Sequence, residues 1–436
     1  MKKQAAIYGV VLAAGLFCSS CDTPRMADNH VQTLMEAVRD SAYDANLAET
    51  PLQMQKQNHF GWQLFQKIAA KHPKESQFFS PLGAIYSLNI LNEGASGKTR
   101  EEINKAMDIT EQDRADINKL SRNEMIMLAQ NVSKVENYTR EQSYLRVVNA
   151  MVLKDTASLN EDCCQQLELN YFLGIMSAKT DLQKQVDEWC MLQTDSMIQH
   201  LSVPSSSSDL KAILLSANRF HGIWEEKFDA SNTKREPFKK GNSKEVDMMN
   251  LETMGGFFGI AEKPDFRMLN MMYKGGGYIY ILVPKKQDGL DELIHKMRYG
   301  EFSSAAEKFK YYDKTYLKIP KFKVDREYDL GEPFKELGIA SPFSDTEADF
   351  SRLSKEKLSI GQILQKSSVE FAEEGTEASS VTTTAMLARD MDEPQPKSTV
   401  GYFYADSPFL YLIYSSTGKL CYIGTYYGDK KVDSQR

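Results

Sequence analysis

The chain of 436 residues contains only six cysteines and six histidines. Cys18 and Cys21 fall in the first stretch, and Cys163, Cys164, Cys190 and Cys421 match no zinc or redox spacing, so free core thiols are expected. The histidines are scattered and form no His-Glu-x-x-His, which leaves a metal or cofactor without a ligand set; none is expected. No Ser/His/Asp constellation sits in a nucleophile elbow, so catalysis by the chain itself has no support. Gly97-Lys98-Thr99 ends like a phosphate loop, but Asn92 stands where that motif needs its first glycine. A helix stop with Thr99 as the next N-cap is the plainer reading. A basic excess is missing too. There are 53 Lys and Arg against 60 Asp and Glu, a net charge of -7, which argues against nucleic acid as the main partner. The apolar stretch over residues 5–17 is too short to cross a bilayer.

What is present begins with an address. Lys2 and Lys3 precede that apolar stretch, the pattern of a secretory leader. It ends in Cys18-Ser19-Ser20-Cys21-Asp22, and small residues before a cysteine resemble a bacterial lipoprotein cleavage site with Cys21 as the lipidated residue. The expected division is a leader over 1–20, a polar tether over 21–54, a globular domain over 55–431 and a tail over 432–436. The expected location is the bacterial outer membrane or cell surface, otherwise the periplasm or medium, with membrane contact only through the N-terminal lipid.

An apolar content of 42% is enough for a large core, and 436 residues suit two or three domains or one large mixed fold. Phe60, Leu64, Phe65 and Ile68 recur at helical spacing. Phe78-Phe79-Ser80-Pro81 leads into a second apolar helix through Leu88, Ile90 and Leu91, and residues 100–107 make a third. Strands are expected over 144–153, 211–220, 278–283, 316–324, 361–371, to 413, and 420–425, with a helix over 181–201. Gly275-Gly276-Gly277 reads as a hairpin turn, and Pro320 as an edge or a break within its strand.

The stretch 370–390 organises the rest. After Glu373, Glu374 and Gly375 comes a run almost without large apolar side chains: Thr376, Glu377, Ala378, Ser379, Ser380, Val381, Thr382, Thr383, Thr384, Ala385. Read at the two-residue period of a strand, Thr376, Ala378, Ser380, Thr382, Thr384 and Met386 share one face, all uncharged and mostly small. Such a segment tolerates both a solvated loop and insertion into a sheet, as a conformational switch requires. A polar surface loop is the bland alternative.

Glu373-Glu374-Gly375-Thr376-Glu377-Ala378 resembles the reactive-loop hinge of serpins, a protease-inhibitor family. So do the stretch Phe78 to Met107, Val186-Asp187-Glu188-Trp189, the run from Asn218 to Phe228 with Trp224, and Tyr328-Asp329-Leu330 through Ala348-Asp349-Phe350-Ser351. The most specific match is Phe403-Tyr404-Ala405-Asp406-Ser407-Pro408-Phe409-Leu410 near the C-terminus. The resemblance covers about residues 55–430. It implies a mixed α/β (α+β) fold of three sheets and eight or nine helices, with an exposed reactive loop over about 375–396. It implies a monomer that inhibits serine proteases, with cysteine proteases as a further target class, by suicide-substrate trapping. The family's bait position, fourteen residues after the hinge glycine, falls on Arg389, which makes Arg389–Asp390 the reactive bond and a trypsin-like protease the covalent partner. Met386, Leu387 and Met391 are secondary baits.

Ser80, Asn218, Trp224 and Gln365 are the implied sheet-opening residues. Three positions depart from the family pattern: Gly83 and Gly361 stand where serines are usual, and Gln365 where histidine is usual. Gln365 is expected to bond Asn218, since amides donate and accept. Alternatives are a non-inhibitory carrier or chaperone of the same fold, or a surface lipoprotein that binds a ligand.

Overall fold

The computed structural model describes residues 46–376 and 399–428, apart from breaks at 131, 136–137, 154–158, 179–180 and 205–211, together with positions 34, 38, 41, 43 and 44. Among these residues nine α-helices have described bounds. They are α1 (Pro51–Lys71), α2 (Pro81–Gly94), α3 (Gly97–Met107), α4 (Asp113–Ala129), α5 (Glu161–Tyr171), α6 (Leu182–Gln193), α7 (Leu290–Lys296), α8 (Gly300–Ala306) and α9 (Gly331–Glu336). The strands are β1 (Gln77–Phe79), β2 (Val132–Val135), β3 (Tyr138–Glu141), β4 (Tyr144–Leu153), β5 (Gly174–Ser177), β6 (Ala212–Ile223), β7 (Lys234–Pro237), β8 (Glu245–Met254), β9 (Gly259–Glu262) and β10 (Phe266–Met272). They continue with β11 (Tyr278–Pro284), β12 (Lys310–Tyr311), β13 (Lys314–Pro320), β14 (Phe322–Asp329), β15 (Ile360–Ala372), β16 (Gly375–Thr376), β17 (Val400–Tyr404), β18 (Phe409–Tyr414) and β19 (Leu420–Tyr426).

Three sheets form, as expected, beside a separate β2–β3 hairpin. The order is β1-β19-β18-β11-β10-β9-β12 in one, β17-β13-β8-β7 in the second, and β14-β15-β16-β6-β4-β5 in the third. In the third sheet β15 and β6 run parallel from Ile360 opposite Ala212 to Ser368 opposite Arg219. Above that point they part, and the two residues of β16 fit between them, antiparallel to both.

Local chemistry places the helices that matter. Thr50 and Gln53 form a reciprocal capping box and Pro51 occupies the first turn, so α1 starts there instead of near residue 55. Within the stretch read as a tether, Leu34 and Val38 are buried, and the Leu34 N–H donates to Gln193 Oε1 at 3.0 Å. Ser80 caps α2 and Pro81 follows it. Every residue of α2 is buried, which puts this apolar helix behind the third sheet.

Other expectations shift. Thr99 does not cap α3; it lies in the first turn, and its hydroxyl accepts from the Asp349 N–H at 3.0 Å. The helix expected over 181–201 stops at Gln193. Thr194 Oγ1 donates back to Cys190 O at 2.7 Å, and Asp195 and Ser196 take left-handed backbone angles. Pro320 is a break: β13 ends on it in one sheet, and β14 starts at Phe322 in another. Proline has no N–H for a ladder, so a sheet switch suits it. Cys163, Cys164, Cys190 and Cys421 are free thiols; all but Cys164 are buried, and burial pushes the Cys163 thiol up to about 11.

Candidate functional site: a hinge at the top of a parallel seam

The hinge is built on β15. Its two glutamates make the turn after Ala372, and each is tied on both backbone and side chain. Glu373 O accepts from the Phe228 N–H at 3.0 Å, and Glu374 O accepts from the Trp224 N–H at 3.1 Å. The Glu373 carboxylate accepts from Lys321 Nζ and Thr233 Oγ1, each at 2.8 Å, while Glu374 pairs with Lys227. Burial works against the Glu373 charge, but the bonds from Lys321 and Thr233 outweigh it and hold the carboxyl below its ordinary 4.5.

Gly375 then turns the chain back beside β6. A Cβ there would lie 1.9 Å from Gly222 O and 2.9 Å from Ile223 Cα, so the approach of the two backbones admits only glycine. Thr376 follows, wholly buried, and shares a 2.8 Å hydrogen bond with the Tyr273 hydroxyl. Trp224 stacks on Tyr273, with centroids 4.6 Å apart, and its Nε1 donates to Ala372 O at 3.0 Å. Trp224 is therefore a core aromatic that lies against the turn after β15.

Lower in the seam, Gln365 differs from expectation. Its Nε2 donates to Ser80 O at 3.0 Å, and its Oε1 accepts from the Ser80 N–H at 3.0 Å. That reciprocal pair holds the amide against the start of α2 and not against Asn218. Asn218 Nδ2 has no protein partner, nor has Ser367 Oγ, the residue opposite it across the seam. Gly83 accounts for the arrangement: a Cβ there would lie 2.8 Å from Asn218 Oδ1 and 2.9 Å from Gln365 Nε2. The longer glutamine fills the space that a side chain at 83 would need. Gly361 sits near the foot of β15, beside the irregularity between Ile360 and Gln362.

Among the described residues a Ser/His/Asp alignment occurs that was not expected from the sequence, because the helix was expected to run through it. Ser202 Oγ lies 3.2 Å from His200 Nε2, and His200 Nδ1 lies 3.1 Å from Asp187 Oδ1. Ser202 lacks what a nucleophile needs. Its N–H donates to Glu327 Oε1 at 3.2 Å, and Glu327 Oε2 stands 3.5 Å from the hydroxyl, where a developing oxyanion would be repelled. The cluster is an anchor. Asp195 is bound by Arg219 of β6 and, at 2.7 Å, by Arg146 of β4, whereas Ser202 is bound to β14. The linker after α6 thus straps across the seam.

Among the predicted site residues, Ser80, Asn218, Trp224, Gln365, Glu373, Glu374, Gly375 and Thr376 converge on this seam. Glu377, Ala378, Ser379, Ser380, Val381 and Thr382, the baits Arg389, Asp390, Met386, Leu387 and Met391, and Cys21 lie outside the described residues.

The seam is a parallel strand pair with a third strand started between its diverging ends. Comparison with known proteins identifies the family. The profile described as Serpin (serine protease inhibitor) matches residues 55–428, and the chain belongs to that family. Serpin B10 of Rhinolophus ferrumequinum is 28% identical over 396 residues, 85% of this chain and 97% of that protein. Leukocyte elastase inhibitor A of Mus musculus is 28% identical over 390 residues, covering 84% and 96%. The native structure of a thermophilic serpin, tengpin, superposes with a TM-score of 0.75 at 21% identity over 89% of this chain and 96% of that one, a likeness of fold.

Proposed function

We propose that the protein inhibits serine proteases as a suicide substrate, with Arg389–Asp390 as the reactive bond and a trypsin-like enzyme as target. The observation that carries this is β16, already paired with both β15 and β6 at the head of their parallel seam. Continuing those two registers along the chain would set Ser380 between Asn218 and Ser367, and Thr382 between Ser216 and Gln365. Ser380 would thus arrive where Asn218 Nδ2 and Ser367 Oγ lack partners, and the inward face is uncharged and, apart from Met386, small.

In the reaction the protease serine attacks the Arg389 carbonyl. The Arg389–Asp390 peptide bond breaks, the amine of Asp390 leaves with the proton, and an acyl ester to Arg389 remains. The fifteen residues from Gly375 to Arg389, at about 3.3 Å each, span roughly 50 Å, so insertion would drag the ester-linked protease from one end of the sheet to the other. The protein acts as an exported monomer, held to a membrane by lipid on Cys21.

Mixing the protein with trypsin and running a denaturing gel tests the reading. A stable covalent complex and a released fragment beginning at Asp390 are expected. Cleavage without complex would favour a carrier role, and a fragment beginning at Leu387 or Ala388 would move the bait upstream. For the lipid, radiolabelled palmitate should be incorporated by the wild type and lost in Cys21→Ser.

A further inference from the structure

Eleven large apolar side chains stand well exposed among the described residues, and five gather at one place: Met254, Phe257, Tyr311, Val400 and Tyr402. The strand registers show how. Val400 of β17 and Met254 of β8 flank Lys314 of β13 on the same rung, and Tyr402 is one rung on along the same face, stacked on Tyr316 at 5.3 Å. The Gly255-Gly256 turn brings the other two alongside: a Cβ at Gly255 would touch the Phe257 ring at 3.0 Å, and one at Gly256 would lie 3.9 Å from Tyr311 Cβ. A cluster of this kind on an otherwise ordinary surface marks an interaction site.

Its position names the partner. β17 begins at Val400, directly where the chain leaves the loop, and Thr399 is pinned there through its N–H and hydroxyl to Asp313 Oδ2 at 2.7 and 3.0 Å. Ten residue steps separate Thr399 from Arg389, a reach of at most about 35 Å. A protease gripping Arg389–Asp390 would therefore be held within that distance of this end of the second sheet. The stretch nearest the exit, Asp392-Glu393-Pro394-Gln395-Pro396-Lys397-Ser398, has no large apolar side chain with which to cover the patch from within.

We infer that Met254, Phe257, Tyr311, Val400 and Tyr402 form a second docking surface for the target protease, contacting the apolar rim beside its cleft while the loop fills the cleft. This rests on the inhibitor reading above. The contact would hold the encounter complex and leave the chemistry and the insertion alone.

The test is trapping of trypsin by wild type, by Phe257→Ser/Tyr311→Ser and, as a second patch variant, by Met254→Ser, with Leu169→Ser/Leu192→Ser as a control at exposed residues away from the patch. The double patch variant should need about tenfold more inhibitor for half-maximal trapping, with the limiting rate, the stoichiometry and the melting temperature unchanged. Because the contact is apolar, that ratio should hold as salt is raised. Equal half-saturation for the patch variants and wild type overturns the docking surface while leaving the inhibitor intact. An equal loss in the control pair also overturns it. So does a wild-type dimer that the patch variants make monomeric, which would assign the surface to a second copy. Absence of any covalent complex with wild type overturns both readings.

Discussion

Thr376→Arg probes the hinge most directly. Thr376 is wholly buried, and its hydroxyl is bonded to Tyr273, which Trp224 covers. An arginine there loses that hydrogen bond, worth about 1 kcal/mol. It also puts a guanidinium among aromatic rings whose nearby carboxylates are already engaged, Glu373 by Lys321 and Thr233, and Glu374 by Lys227. Keeping such a charge in the sheet unpaired costs several kcal/mol. If about 3 kcal/mol of this is felt in the insertion barrier, insertion slows by roughly 150-fold relative to hydrolysis of the ester. The expected result is conversion from inhibitor to substrate: the loop is cut at Arg389, and the protease is released. The assay is active-site-titrated trypsin with the covalent fraction read on a denaturing gel, and Thr376→Ser, which keeps the hydroxyl and the small volume, should still trap. A Thr376→Arg protein that forms as much complex as wild type would refute strand insertion.

Three further outcomes are expected. Nicking the loop should raise the melting temperature by about 10 °C or more, since about ten new ladder bonds at about 1 kcal/mol each enter the sheet; an unchanged transition in calorimetry removes the insertion step. Gly83→Ser should cost about 1–3 kcal/mol by crowding Asn218 and Gln365. Adding Gln365→Ala should return part of that loss, so a strictly additive double-mutant cycle by urea unfolding would contradict the packing described. The Glu373 carboxyl is held below its ordinary 4.5, so its bonds stabilise the hinge above that pH and are lost as pH falls through the lowered value. Hydrogen exchange at Phe371–Thr376 should speed up below about pH 4.5 in wild type, and Glu373→Gln should flatten this step.

The family was legible in the chain because it depends on residue type at fixed spacing. The polar inward face from Thr376 onward, the alternation of the strand before it, Trp224 and the C-terminal stretch around Pro408 are local patterns, and the fold described here contains the three sheets those patterns imply. Local pattern also placed β4 with the expected bounds, and the lead into α2 at Ser80-Pro81. What it missed depended on atoms far apart in sequence. Pro320 announced an interruption, but only the sheets on either side could say that the chain passes between them there. The stop of α6 at Gln193 is made by the Thr194 side chain and by a linker drawn to Arg219 and Glu327, partners no window of sequence contains. Leu34 and Val38 look like tether residues until Gln193 and the core are set beside them. Most telling is Gln365. Its composition allowed a bond to Asn218, and chemistry alone could not choose otherwise. The choice fell to Ser80 because Gly83 leaves room for the longer side chain against α2, and a space of that kind exists only once helix and sheet have packed.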